Sequence, residues 1–319
     1  MQSFRASVSL PILHITDIVH RYKLHRKDRF VRKNTITILA SLGMLITTAI
    51  WGFAFVVVKD TVDTIPPVYM MAFRFTIAAV GLTLICAGKI KKLNPSILLH
   101  GGIIGICLFL AYLLQTVGIQ YTTAGKNAFL TTVYVIFVPL ILWIATRRFP
   151  GIRIIIASIM AMVGVALLTL QDSLLMNKGD VMTLLCGFFF ALQIIFIARY
   201  NATEDAILLT IVQLAAAALL SWILAPFFDG PVPLAQLGNS RTLFSILYLG
   251  LFSTLLAFFL QNICQKHTPT SVAAIILSLE AFFGVVFSWI FLKEILTPAM
   301  IVGCVILFLA IVLAEADLF

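Results

Sequence analysis

Residues 260–290 (LQNICQKHTPTSVAAIILSLEAFFGVVFSWI) repeat residues 114–144 (LQTVGIQYTTAGKNAFLTTVYVIFVPLILWI) without a gap. Gln115 aligns with Gln261, Thr122 with Thr268, Ala128 with Ala274, Phe137 with Phe283 and Trp143 with Trp289. A repeat of this kind means that one structural unit is used twice, and it constrains the fold more tightly than local propensity does. Both copies are almost wholly apolar, yet the second carries Glu280 in the middle of its hydrophobic run.

Of the 319 residues, 61% are hydrophobic and only 11% charged, whereas soluble domains carry about 25% charged residues. Apolar runs at 36–58, 67–87, 97–120, 127–145, 152–170, 180–198, 206–228, 243–264, 271–292 and 298–314 follow one another. A helix of about 20 residues, rising 1.5 Å per residue, crosses a hydrocarbon core of about 30 Å. The connections are short and rich in breakers, as at Pro66-Pro67, Asn94-Pro95 and Pro150-Gly151, and only 229–241 is longer. The expected fold is therefore all-α and integral to the membrane, with ten transmembrane helices in two five-helix repeats, 36–171 and 179–315. An odd number of spans per repeat makes the second copy enter the membrane upside down. Inverted repeats of this type build secondary transporters whose site lies near the bilayer midplane.

The basic residues set the orientation. Residues 1–34 hold Arg21, Lys23, Arg26, Lys27, Arg29, Arg32 and Lys33 and read as a basic cytoplasmic tail with no cleavable signal peptide. With that tail inside, Lys89, Lys91, Lys92, Arg147, Arg148, Arg153, Arg199 and Lys266 also fall inside. Lys59, Lys126, Lys178, Arg241 and Lys293 fall outside, one per loop, as the positive-inside rule favours. Both termini are then cytoplasmic, in a plasma or inner membrane. The net charge of +9 reports orientation and contact with anionic lipid rather than nucleic-acid binding. The five cysteines are scattered without a C-x-x-C pair, so neither a metal site nor a disulfide framework is expected, and no cofactor.

Candidate site residues are the polar groups at depth. Glu280 lies roughly 14 Å from the inner edge of its span, where a carboxylate costs about 2.5–3.5 kcal/mol to insert. Desolvation penalises its charged form, so it is a candidate for proton exchange or for holding a substrate amine, against a structural role in a permanent pair. Arg74 lies roughly 10 Å from the outer edge, within about 6 Å in depth of Glu280. It suits a substrate carboxylate, partnership with Glu280, or snorkelling for packing alone. Asn127, Thr131 and Tyr134 form one helical stripe, Tyr112 and Gln115 share a face, and so do Thr254, Phe258 and Gln261. Tyr134 is the repeat mate of Glu280, and Tyr112 that of Phe258. Spans three, four, eight and nine thus offer a cavity lined by amides and aromatics, with interhelical hydrogen bonding as the plainer reading of each Gln. Trp51, with Thr47, Thr48 and Phe55 on its face, is a candidate aromatic wall or an interfacial Trp. The Phe188–Phe190 run reads as packing or lipid contact.

The two copies, together with AIWGFAFVVVK, MAFRFTIAA and GDVMTLLCGFFFALQIIFIAR, resemble EamA-type repeats of the drug/metabolite transporter superfamily. The resemblance covers about 36–315 and implies a ten-helix carrier, typically an exporter of amino acids, other metabolites or toxic compounds. It departs from the family pattern at Ala281, where a proline usually follows the glutamate and kinks the helix. It departs also at Lys293, where glycine is common, and at Lys126, where small residues are usual.

These features lead to an expected secondary transporter of small molecules, working in the lipid bilayer by alternating access, with protons as candidate coupling ions. A nucleotide-sugar or phosphate-ester exchanger of the same fold is an alternative, but Arg74 is the only basic residue deep in a span. A membrane receptor or scaffold using the basic tail is another, separated from a carrier by the absence of solute flux. An intramembrane enzyme is disfavoured, because the deep acid is solitary and His100 and His267 lie near span ends. Monomer and homodimer are both open.

Overall fold

The computed structural model describes residues 33–122, 124–169, 176–292 and 297–315. The tail read over 1–34 lies, up to residue 32, outside the described residues, as do Lys293, Glu294 and the side chain of Lys126. Among the described residues the regular structure is helical, with no strand. The main helices are α1 (Lys33–Thr61), α2 (Pro67–Ile85), α3 (Pro95–Gly118), α4 (Asn127–Thr146) and α5 (Ile152–Thr169). They continue with α6 (Lys178–Tyr200), α7 (Ala206–Asp229), α8 (Ser240–Gln265), α9 (Thr270–Phe291) and α10 (Pro298–Glu315). Eight are long and apolar enough to cross a membrane, while α5 and α10 are shorter apolar helices.

The breakers in the sequence become helix starts. Pro67 and Pro95 occupy first turns, where the missing N–H costs nothing. Asn94 accepts from Ile97 N at 2.9 Å, and Asn177 with Asp180 forms a capping box on α6, satisfying donors that a helix end leaves free. Asp229, at the end of α7, accepts from Val68 N and Tyr69 N at 2.7 and 2.9 Å. It thereby caps α2 from another span and ties the two helices together.

Packing follows the small residues. A Cβ on Gly164 of α5 would meet Gly303 O of α10 at 2.9 Å, and one on Gly303 would meet Gly164 O at 2.7 Å. Each glycine therefore admits the opposing backbone, and the two short helices pair with each other. Gly105 lets α3 approach Gln213 of α7 in the same way, whereas a Cβ on Gly102 would meet nothing within 4 Å. On the flanks, Leu84, Ile85, Ile144, Phe227 and Phe308 are exposed, as suits a surface that meets lipid tails.

Two helices are interrupted at matched places. α4 breaks at 132–133 and α9 at 278; Thr132 and Ser278 are repeat mates. The Thr132 hydroxyl donates to Phe129 O at 2.9 Å and the Ser278 hydroxyl to Ile275 O at 2.7 Å. Phe129 and Ile275 are mates as well. Such hydroxyl bonds to the preceding turn bend helices. The break in α9 thus arises without the proline that Ala281 replaces.

Candidate functional site

A cavity lies among α1, α2, α3, α4, α6, α8 and α9. Trp51, Arg74, Tyr112, Gln115, Asn127, Tyr134, Gln261 and Glu280 all line it. Val58, Ile119 and Asn127 carry it toward the membrane face at which α1 and α3 end, and Gln193 and Gln261 lie at its other end.

Among its described lining residues, the guanidinium of Arg74 and the carboxyl group of Glu280 come from opposite halves of the chain. Arg74, 4% exposed, donates from Nε to Thr254 Oγ1 at 2.8 Å and from Nη2 to Ser253 Oγ at 2.9 Å. The guanidinium carbon lies 4.8 Å from the centre of the Tyr112 ring, a cation–π contact. Neighbouring residues both reach Arg74 because Leu249–Leu256 of α8 winds as a wide π-helical stretch. Within it, the Thr254 hydroxyl donates to Leu249 O, five residues back, at 2.7 Å, and Ser253 O accepts from Trp51 Nε1 at 2.9 Å. π-Helical turns recur at functional sites.

Glu280, 6% exposed, begins the second segment of α9 and accepts from the Tyr134 hydroxyl at 3.1 Å. Tyr134 begins the second segment of α4, so the twin breaks aim this pair of repeat mates at one another. Among the described residues, no ion pair joins Arg74 to Glu280 or either to another charge. Of the alternatives open for Arg74, the structure therefore holds neither the pair with Glu280 nor an outward-snorkelling side chain.

The neutral groups complete the wall. Gln115 Nε2 donates to Thr131 Oγ1 at 3.1 Å, while Asn127 Nδ2 donates to Thr183 Oγ1 at 2.9 Å and to Gln115 O at 3.2 Å. Gln193 and Gln261 face each other at 3.4–3.5 Å. Tyr112 and Phe258, also repeat mates, have ring centres 6.1 Å apart, and Trp51 packs on Phe258 at 5.2 Å. Phe190 corrects the packing-or-lipid reading of its run: it lines the cavity and meets Tyr112 edge-on at 5.5 Å, while Phe188 is exposed. Ser253, Thr116, Ile119 and Leu277 also line the cavity and were not singled out from the sequence. Leu277 is the repeat mate of Thr131, a signal that was available. Ser253 was hidden by the π turn, since α-helical spacing puts it on a different face from Thr254.

These helices and the cavity they enclose make the chain a multi-pass membrane protein of the class to which transporters belong. The chain is a member of the EamA-like transporter family, whose pattern matches residues 38–170 and again 177–315. It is 34% identical over 276 residues to an uncharacterized transporter of Archaeoglobus fulgidus, covering 86% of this chain and 85% of that one. It is 25% identical over 273 residues to the uncharacterized transporter YoaV of Bacillus subtilis, covering 83% and 93% respectively. A solved structure titled "Crystal structure of protein" superposes with a TM-score of 0.72 at 13% identity, over 86% of this chain and 98% of that chain, and shares its fold.

Proposed function

We propose that this transporter is a secondary active carrier. It moves small metabolites such as amino acids, or drug-like compounds, outward by alternating access, and Glu280 serves as a proton-exchange site. The observation that carries this reading is one buried guanidinium and one buried carboxyl group on the same cavity, each bonded, among the described residues, only to neutral groups. Buried charges without counter-ions are costly. A zwitterionic solute relieves both at once, with its carboxylate on Arg74 and its ammonium group on Glu280. The aromatic rings of Trp51, Tyr112 and Phe190 form the apolar wall for its side chain. Among the described lining residues Arg74 is the single cation, which suits this solute better than a nucleotide sugar or phosphate ester, whose phosphate calls for several cations.

The matched helix breaks and the contacts between repeat mates support two inverted five-helix repeats over 36–171 and 179–315. The distribution of basic residues supports an orientation with both termini in the cytoplasm of a plasma or inner membrane. The test is solute-driven proton movement in proteoliposomes carrying an internal pH dye, with a panel of amino acids, purines and organic cations. Wild type should give a solute-dependent pH change that Glu280→Gln loses, and the variant should bind the solute more weakly. Solute movement without a pH change in wild type rejects the coupling role, and failure to move any amino acid rejects the substrate class.

A further inference from the structure

From the cavity wall, α6 and α8 carry a column of buried amides onward past the site. It starts at Gln193 and Gln261, continues through Asn262 and Gln265 on α8, and ends at Asn201, the residue that caps α6. All five are buried, while Arg199 and Lys266 beside the far end are exposed. From Gln193 to Asn201 is about 12 Å along the helix axis, so the column connects the cavity to the membrane face at which α6 and α8 end.

In the last three of these amides, Asn262, Gln265 and Asn201, only the NH2 side is satisfied. Asn262 Nδ2 donates to Phe258 O at 2.9 Å, Asn201 Nδ2 to Asn262 O at 2.8 Å, and Gln265 Nε2 to Ile194 O. The side-chain oxygens of Asn201, Asn262 and Gln265 are buried and, among the described residues, have no hydrogen-bond partner. Unsatisfied acceptors surrounded by helices in a bilayer are unfavourable, and for packing alone an aliphatic side chain serves better. Polar groups at such depth characteristically face a water-filled route. The repeat gives the same indication: Asn262 and Gln265 are the mates of Thr116 and Ile119, which line the cavity on the side where α3 ends.

We propose that this amide column is the closed half of the solute pathway. In the alternative conformation α6 and α8 part, and Asn262, Gln265 and Asn201 line the passage between the cavity and the Lys266 side. Amides offer donors and acceptors without net charge, which suits zwitterions and neutral polar solutes and gives a free anion no counter-charge. The proposal rests on the alternating-access reading and adds where the second opening lies and which side chains the solute meets there.

Site-directed thiol labelling tests it. In a full-length background with Cys86, Cys107, Cys186, Cys264 and Cys304 replaced by alanine, Asn262→Cys and Gln265→Cys are exposed to a membrane-impermeant maleimide from each side of oriented vesicles. Thr116→Cys reports the opposite opening, and Leu208→Cys, equally buried near the start of α7, reports general loosening. Both column cysteines should react from the Lys266 side roughly tenfold faster than Leu208→Cys, because an alternative conformation populated at about 0.1–10% is sampled far more often than unfolding. Thr116→Cys should react from the other side. Column cysteines that react no faster than Leu208→Cys, or equally from both sides, overturn the proposal. Labelling needs no transported solute, so this result stands or falls separately from the substrate reading.

Discussion

Arg74 is held by two hydroxyls and a ring face, and Glu280 by one phenol. Neither arrangement neutralises its charge, so each side chain keeps capacity for a solute. A charge-assisted hydrogen bond contributes about 1.5–3 kcal/mol. Arg74→Gln should therefore weaken binding of a carboxylate-bearing solute by roughly ten- to a hundred-fold, read by calorimetry in detergent, with little effect on an analogue lacking the carboxylate. Thr254→Val should give a smaller loss in the same assay, because it frees the guanidinium without removing it. At the membrane surface, Asp205 caps α7 through Ile207 N and Leu208 N and binds Lys89 Nζ at 2.7 Å. Burial opposes ionisation of Asp205, but the Lys89 hydrogen bond, the two backbone N–H groups and the Lys89 charge together outweigh it and hold the carboxyl below its usual range. A depressed carboxylate contributes stability above its unfolded value, and that contribution is lost as pH falls through the lower folded value. The melting temperature should thus decline on acidification below about 3.9, the ordinary Asp value. Asp205→Asn, which keeps a cap acceptor, should flatten that decline. Asp205→Ala should cost about 0.5–2 kcal/mol at neutral pH through the lost cap.

At the scale of helices, the breaks in α4 and α9 turn a linear stripe into a site. Periodicity placed Asn127, Thr131 and Tyr134 on one face, and all three side chains do bond toward the centre. What periodicity does not encode is the hydroxyl bond to the preceding turn at Thr132 and Ser278, because serine and threonine make it only where the backbone has already begun to bend. The family's proline was the signal available for a kink in α9, and Ala281 removed it. Thr132→Val with Ser278→Ala should leave the protein folded, with a melting-temperature change corresponding to about 0.5–1.5 kcal/mol per bond, but should slow solute exchange. Unchanged exchange would show that the breaks are only structural. The α5–α10 pair responds differently. Gly303→Val sets side-chain atoms against Gly164 O and Leu167, and overpacking of this kind costs about 1–3 kcal/mol, which a thermal melt should show. The wide turn of Leu249–Leu256 is a third feature that spacing conceals, and it is the reason Ser253 escaped the sequence reading.

Across the whole molecule, the apolar runs and the gapless repeat made the helices and their order legible. Hydrocarbon thickness dictates the length of a span, and two copies of one unit dictate which spans correspond. Tyr134 and Glu280 correspond in the sequence repeat and meet in the structure, as mates would on the common axis of the proposed inverted arrangement. The state of Arg74 was not legible: its depth placed it within reach of Glu280, and only the three-dimensional arrangement shows hydroxyls occupying its fork. The central claim is that these two charges hold opposite ends of one solute. The most direct test is counterflow in proteoliposomes with an amino acid, its methyl ester and its decarboxylated amine, in wild type, Arg74→Gln and Glu280→Gln. The account predicts that Arg74→Gln penalises the amino acid but not the ester or amine, and that Glu280→Gln penalises all three. Equal losses for all three compounds in Arg74→Gln, or undiminished counterflow of the amino acid in either variant, would contradict it.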